Sequence, residues 1–101
     1  MININDDFNF VSFGNEIIKV AKINIHRDIE FKNISENFPD VGLDSLDSVV
    51  FCIHAFEVFG VPQELYNNLN PKNLEELKKC LIDNGTISYQ SDKDAIASIE
   101  E

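Results

Sequence analysis

Ser45 stands between two carboxylates in the run Gly42-Leu43-Asp44-Ser45-Leu46-Asp47, and apolar residues recur behind it at helical spacing: Leu46, Val49, Val50, Ile53 and Phe56. A serine so placed opens a helix with its hydroxyl toward solvent. The first helical turn leaves backbone N–H groups unpaired and carries about half a positive charge, so an anionic phosphodiester on this hydroxyl is electrostatically favoured. The same run has a purely structural use. Asp and Ser lead the preferences for a helix N-cap, and either Asp44 or Ser45 can take that role.

Other chemistries find less support. Cys52 and His54 are two residues apart on the expected helix and point to different faces, so they do not make a local nucleophile and base. His26 and His54 lack the spacing of a structural zinc site, and no metal ligand set is expected. The acidic stretch 40–47 lacks the Asp-x-Asp-x-Asp-Gly loop and closing glutamate of a calcium site, and there is no glycine-rich phosphate loop. Cys52 and Cys80 form no disulfide framework and sit within apolar helical runs, as free, at least partly buried thiols do. The expectation is a protein that is acted upon, not an enzyme.

Composition sets the kind of partner. The chain has 101 residues, 18 of them acidic and 8 basic, for a formal net charge of -10 and a pI near 4.4. Such a surface repels phosphate backbones and anionic lipid and attracts basic protein surfaces, raising encounter rates more than final affinity. Eight Phe and 44% hydrophobic residues are enough for a modest core in one domain, with little room for a deep enzyme cleft. No stretch approaches the roughly 20 apolar residues of a membrane span, and no secretory signal precedes the first helix; the expected location is the cytoplasm and the expected state a monomer.

The elements that must position Ser45 follow from periodicity and punctuation. Residues 1–12 read as an arm that docks through its phenylalanines. A first helix is predicted over 13–25, with its start obscured by Gly14. A long connection over 26–42 then packs through Ile29, Phe31, Ile34, Phe38 and Val41. The second helix runs from Ser45 to about Phe59, roughly 22 Å at 1.5 Å per residue, and Gly60 ends it. A short turn or helix holds Leu65 and Tyr66. The last core helix is expected to start with Asn70 as N-cap and Pro71 at N1, with Glu75 and Glu76 early, Lys78 and Lys79 late, and a stop at Asn84-Gly85. In the tail 84–101, residues 86–90 are expected to be extended and 91–101 to form a frayed helix from the Ser91-x-x-Asp94 cap.

From Phe38 to Gly60 the chain resembles the acyl carrier protein family, in which a Gly-x-Asp-Ser-Leu motif precedes a long second helix that closes on Phe-Gly. Gly42, Asp44, Ser45, Leu46 and the pair Phe59-Gly60 carry that resemblance, which extends more weakly over about 17–82. It implies an all-α, four-helix carrier bundle with a long first connection, the carrier domain covering 13–83 between the arm and the tail. It implies further that Ser45 is the attachment point of 4'-phosphopantetheine derived from coenzyme A, that Asp44 holds the motif turn, and that Leu46, Asp47, Val50, Phe56 and Glu57 meet partners. Those partners would be a phosphopantetheinyl transferase and acyl-loading and acyl-processing enzymes with basic or apolar docking surfaces. Val50 and Phe56 occupy positions where fatty-acid-synthesis carriers have carboxylates, which points to a specialised pathway; they are either exposed contacts or core. A carrier of aminoacyl or peptidyl groups, and an unmodified acidic helical adaptor, are the alternatives.

Overall fold

In a computed structural model the chain is described over residues 2–5, 7–23 and 28–100, with Glu100 described by its backbone alone. Four α-helices are present among these residues: α1 (Phe10–Val20), α2 (Ser45–Val58), α3 (Leu74–Asn84) and α4 (Asp92–Glu100), with 3₁₀ segments at Phe38–Val41 and Gln63–Asn68. Among the described residues there is no strand, and one isolated antiparallel bridge joins Asn37 to Asn73. The molecule is thus the small all-helical bundle expected, and no described helix is long and apolar enough to cross a membrane.

Helix α1 starts three residues earlier than periodicity indicated, because the Asn9 side chain accepts a hydrogen bond from the Ser12 N–H and caps it. Phe10, Phe13, Gly14, Ile17 and Ile18 form its buried face. Gly14 sits inside the helix for a packing reason: a Cβ there would lie 3.1 Å from a Leu74 methyl and 3.3 Å from the Phe31 ring. The helix also ends earlier than expected. Lys22 adopts φ 59, and the Lys22 and Ile23 N–H groups close back on the Lys19 and Ile18 carbonyls, a Schellman closure that stops the helix although apolar spacing continues. Ile25 and His26, at the expected end of this helix and the start of the connection, lie outside the described residues.

The connection is held by side chains as well as by burial. Asn15 of α1 donates to the Phe31 carbonyl at 3.1 Å and accepts from the Phe31 N–H at 2.7 Å. Ile29, Phe31 and Phe38 are buried and Val41 is half-buried, but Ile34, expected to pack, is exposed. Glu36 accepts from the Lys32 and Asn33 N–H groups, and these bonds hold its carboxyl below the ordinary value.

Helix α3 begins at Leu74 with Asn73 as its N-cap, so the expected cap at Asn70 and first turn at Pro71 are corrected. The cause is long-range. The Phe38 N–H donates to the Lys72 carbonyl and the Glu75 N–H to the Ile34 carbonyl, which keeps Asn73 extended and bridged to Asn37 of the connection. Lys78 and Lys79 consequently lie mid-helix and the last turn holds no basic residue.

The arm and the tail complete the core. Phe8, Phe10, Phe13, Phe59 and Tyr89 form a chain of ring contacts 5.2–5.9 Å apart. A second cluster joins Phe31, Phe38 and Phe51. Residues 86–90 are not a strand: the Thr86 and Ile87 N–H groups both donate to the Phe59 carbonyl, and the Tyr89 hydroxyl donates to that of Val58. Ser91 caps α4 through the Asp94 N–H, and α4 buries Ala95 as it packs on α1.

Candidate functional site

The approach to Ser45 is a tight reversal. The Phe38–Val41 turn ends on Gly42 at φ 106, a left-handed conformation suited to glycine. Leu43 then drops into the core, 1% exposed, which turns Asp44 and Ser45 outward. Asp44 is the N-cap: its carboxylate accepts from the Asp47 N–H at 2.7 Å, and the Asp47 carboxylate accepts from the Asp44 N–H at 3.3 Å. This reciprocal capping box resolves the choice between Asp44 and Ser45. Ser45 is the first residue of α2, exposed, and its hydroxyl has no hydrogen-bond partner among the described residues. The Ser45 and Leu46 N–H groups stay open at the positive end of the helix.

Beside Ser45 lies a cleft of about 650 Å³. Ser45, Ser48, Val49, Cys52, Ile53 and Phe56 of α2 form one wall; Phe38, Tyr66, Leu69 and Pro71 form the other, and Asn37, Asn67, Asn70 and Lys72 contribute polar groups. Burial, with a smaller contribution from Cys80, pushes the Cys52 thiol up to about 12, so it is not a nucleophile near neutral pH. Burial and then the Glu57 charge also raise the Tyr66 phenol. An apolar cleft beginning at an exposed serine at a helix start can shelter a hydrophobic group tethered to that hydroxyl.

Several expected contact residues fall elsewhere. Of the two alternatives open for Phe56, exposed contact or core, the structure shows core: it is 1% exposed and its ring meets that of Tyr66 at a tilt, with centroids 5.2 Å apart. Val50 is half-buried against the core, and Asp47 is half-buried with its carboxylate engaged in the cap. Leu46 and Glu57 are exposed. Val49, at 54% exposure, and Ile53, on the lip of the cleft, were missed. Their spacing of three and seven residues from Leu46 was the available signal. The opposite wall, from Tyr66 to Pro71, has no local signature because only the tertiary fold brings it to α2.

Comparison with protein-family models, with curated proteins and with solved structures gives no match to this chain.

Proposed function

We propose that the protein is a discrete acyl carrier that holds acyl intermediates as thioesters on a 4'-phosphopantetheine arm attached to Ser45, in a specialised biosynthetic pathway. The observation that carries the reading is the free Ser45 hydroxyl at the first turn of α2, opening onto an apolar cleft. The element order supports it too: a first helix, a long packed connection, a helix that starts on the Asp-Ser-Leu motif, a short 3₁₀ helix and a further helix follow one another as the family resemblance implies.

The residues fit such a group. Ser45 and Leu46 offer free N–H donors to a phosphodiester, Asp44 and Asp47 hold the turn without occupying the hydroxyl, and Val49, Cys52, Ile53 and Phe56 offer an apolar wall. When bound, the arm supplies the thiol on which cargo is carried. In the attachment step Ser45 Oγ forms a bond to the β-phosphorus of coenzyme A, the pyrophosphate P–O bond breaks, and adenosine 3',5'-bisphosphate leaves. The serine proton passes to a base on the transferase, which also brings the metal ion.

Incubation with coenzyme A, Mg²⁺ and a promiscuous phosphopantetheinyl transferase should add one phosphopantetheine, and Ser45→Ala should abolish it. Mass spectrometry reads both. Addition to the alanine variant, or at Ser12, Ser48 or Ser91, refutes the site, and a parent chain that stays unmodified favours the adaptor reading. The polar groups Asn37, Asn67, Asn70 and Lys72 on the cleft support a second reading, a carrier of aminoacyl groups.

A further inference from the structure

The carbonyls of Val58, Phe59 and Gly60, at the end of α2, lie beyond the last bonds that the helix can make for itself. Those of Ala55, Phe56 and Glu57 accept from the Phe59, Val61 and Gly60 N–H groups. The next three are each taken by a donor from the tail. The Tyr89 hydroxyl donates to the Val58 carbonyl at 2.8 Å, the Thr86 and Ile87 N–H groups to that of Phe59 at 2.9 and 3.0 Å, and the Thr86 hydroxyl to that of Gly60 at 2.7 Å. Two glycines permit this approach. A Cβ at Gly60 would collide with the Thr86 hydroxyl, and one at Gly85 would lie 3.1 Å from the Phe59 carbonyl oxygen. The Tyr89 ring adds an edge contact with Phe59 at 5.2 Å, and its hydroxyl lies 3.2 Å from that of Ser98 in α4.

The tail is a thinly buried element resting on a deeply buried one. Of residues 86–99 only Ala95 is fully buried, whereas α2 and its C-cap bury Phe51, Cys52, Ala55, Phe56 and Phe59. Elements with few buried apolar contacts open at a lower free energy than the core beneath them. Where the two meet, α2 also bounds the cleft. Phe56, two residues before Val58, lines the cleft and packs against Tyr66 of the facing wall.

We propose that residues 86–90 are a strap that holds the last turn of α2, and with it the Phe56–Tyr66 end of the cleft, and that strap and α4 open together while the rest of the bundle stays folded. Closed, the strap keeps Phe56 against Tyr66 and limits the cleft to about 650 Å³. Open, it frees the last turn of α2 to fray and Phe56 to turn aside, so that the cleft takes a longer apolar group. The inference does not depend on what Ser45 carries. It makes Thr86 and Tyr89, outside the cleft, the residues that set how large a group the cleft accepts.

The test is native-state hydrogen exchange of the full chain, read residue by residue, with Tyr89→Phe and Thr86→Val as variants that remove one strap hydroxyl each and keep the side-chain shape. In both, the Thr86, Ile87, Phe59, Gly60 and Val61 amides should exchange about fivefold faster than in the parent, while Phe51 and Leu81 keep the parent rate. Nile red, a neutral apolar dye, should bind both variants about threefold more tightly than the parent, and Ile53→Ser added to Tyr89→Phe should remove that gain. Faster exchange at Thr86 and Ile87 with Phe59, Gly60 and Val61 at the parent rate would show that the tail does not hold the helix. Equal acceleration at Phe51 and Leu81 would show that the tail opens only with the whole fold. Unchanged dye affinity, or a gain that survives Ile53→Ser, would separate the strap from the cleft; each of these three results overturns the proposal.

Discussion

At the scale of single residues, the site is arranged so that its polar neighbours satisfy each other and leave Ser45 free. Asp44 and Asp47 exchange hydrogen bonds in the cap, and Ser48 donates its hydroxyl to the Asp44 carbonyl, while the Ser45 hydroxyl is bonded to none of these groups. Cys52, in the cleft wall, is likewise kept out of the chemistry, because burial holds its proton on to a pKa of about 12 against an ordinary 9.0. That shift has a consequence for stability. The folded chain keeps the thiol proton where the unfolded chain gives it up, so this contribution is complete below about pH 9 and is lost as pH rises toward about 12. The expected decline is at most about 1.4 kcal/mol per pH unit. Urea midpoints for the parent and Cys52→Val across that range check it: the parent should fall more steeply, with the raised Tyr66 phenol adding a common slope to both. Parallel curves would show that Cys52 is not responsible.

At the scale of elements, the best-read helix is the one whose two ends are set by its own residues. Helix α2 begins on the Asp44–Asp47 capping box and stops at Gly60, which takes φ 67, and both signals lie within a few residues of the ends they set. The start of α3 was misread because its extended lead-in is imposed by Phe38 and Ile34, more than thirty residues away, against a local Asn-Pro signal that pointed to an earlier cap. The end of α1 was misread because Lys22 adopts a backbone conformation that its residue type does not announce. Burial of Phe56 could not be read from α2 alone, since the ring that covers it belongs to Tyr66 in the next element. The long connection gives the prediction at this scale. Asn15 pairs with both backbone polar groups of Phe31, a residue that is 1% exposed, so Asn15→Ala leaves a buried donor and acceptor without partners. The expected cost is about 1–3 kcal/mol in chemical denaturation. A cost near zero would mean that water replaces Asn15 and that burial of Phe31 alone holds the connection.

At the scale of the whole molecule, the two aromatic clusters have different relations to the cleft. Phe8, Phe10, Phe13, Phe59 and Tyr89 tie arm, tail and α1 together without lining it, whereas the Phe31, Phe38 and Phe51 cluster reaches its wall through Phe38. A group tethered to Ser45 can therefore fill the cleft without opening the aromatic packing that joins the termini. If it does, loading should stabilise the fold in proportion to the chain buried. A fully buried methylene contributes about 0.8 kcal/mol, and in a cleft open on one side about half of that is expected. For a domain of this size such a gain corresponds to roughly 2 °C in Tm per methylene. Loading Ser45 with thioesters from butyryl to dodecanoyl should raise Tm stepwise until the cleft is filled, after which it should level off. Ile53→Ser, at the lip of the cleft, should flatten the slope of that series more than it lowers the Tm of the unloaded protein. A Tm that does not change with chain length would place the cargo in solvent and shift the cargo class from alkyl chains toward small or polar acyl groups.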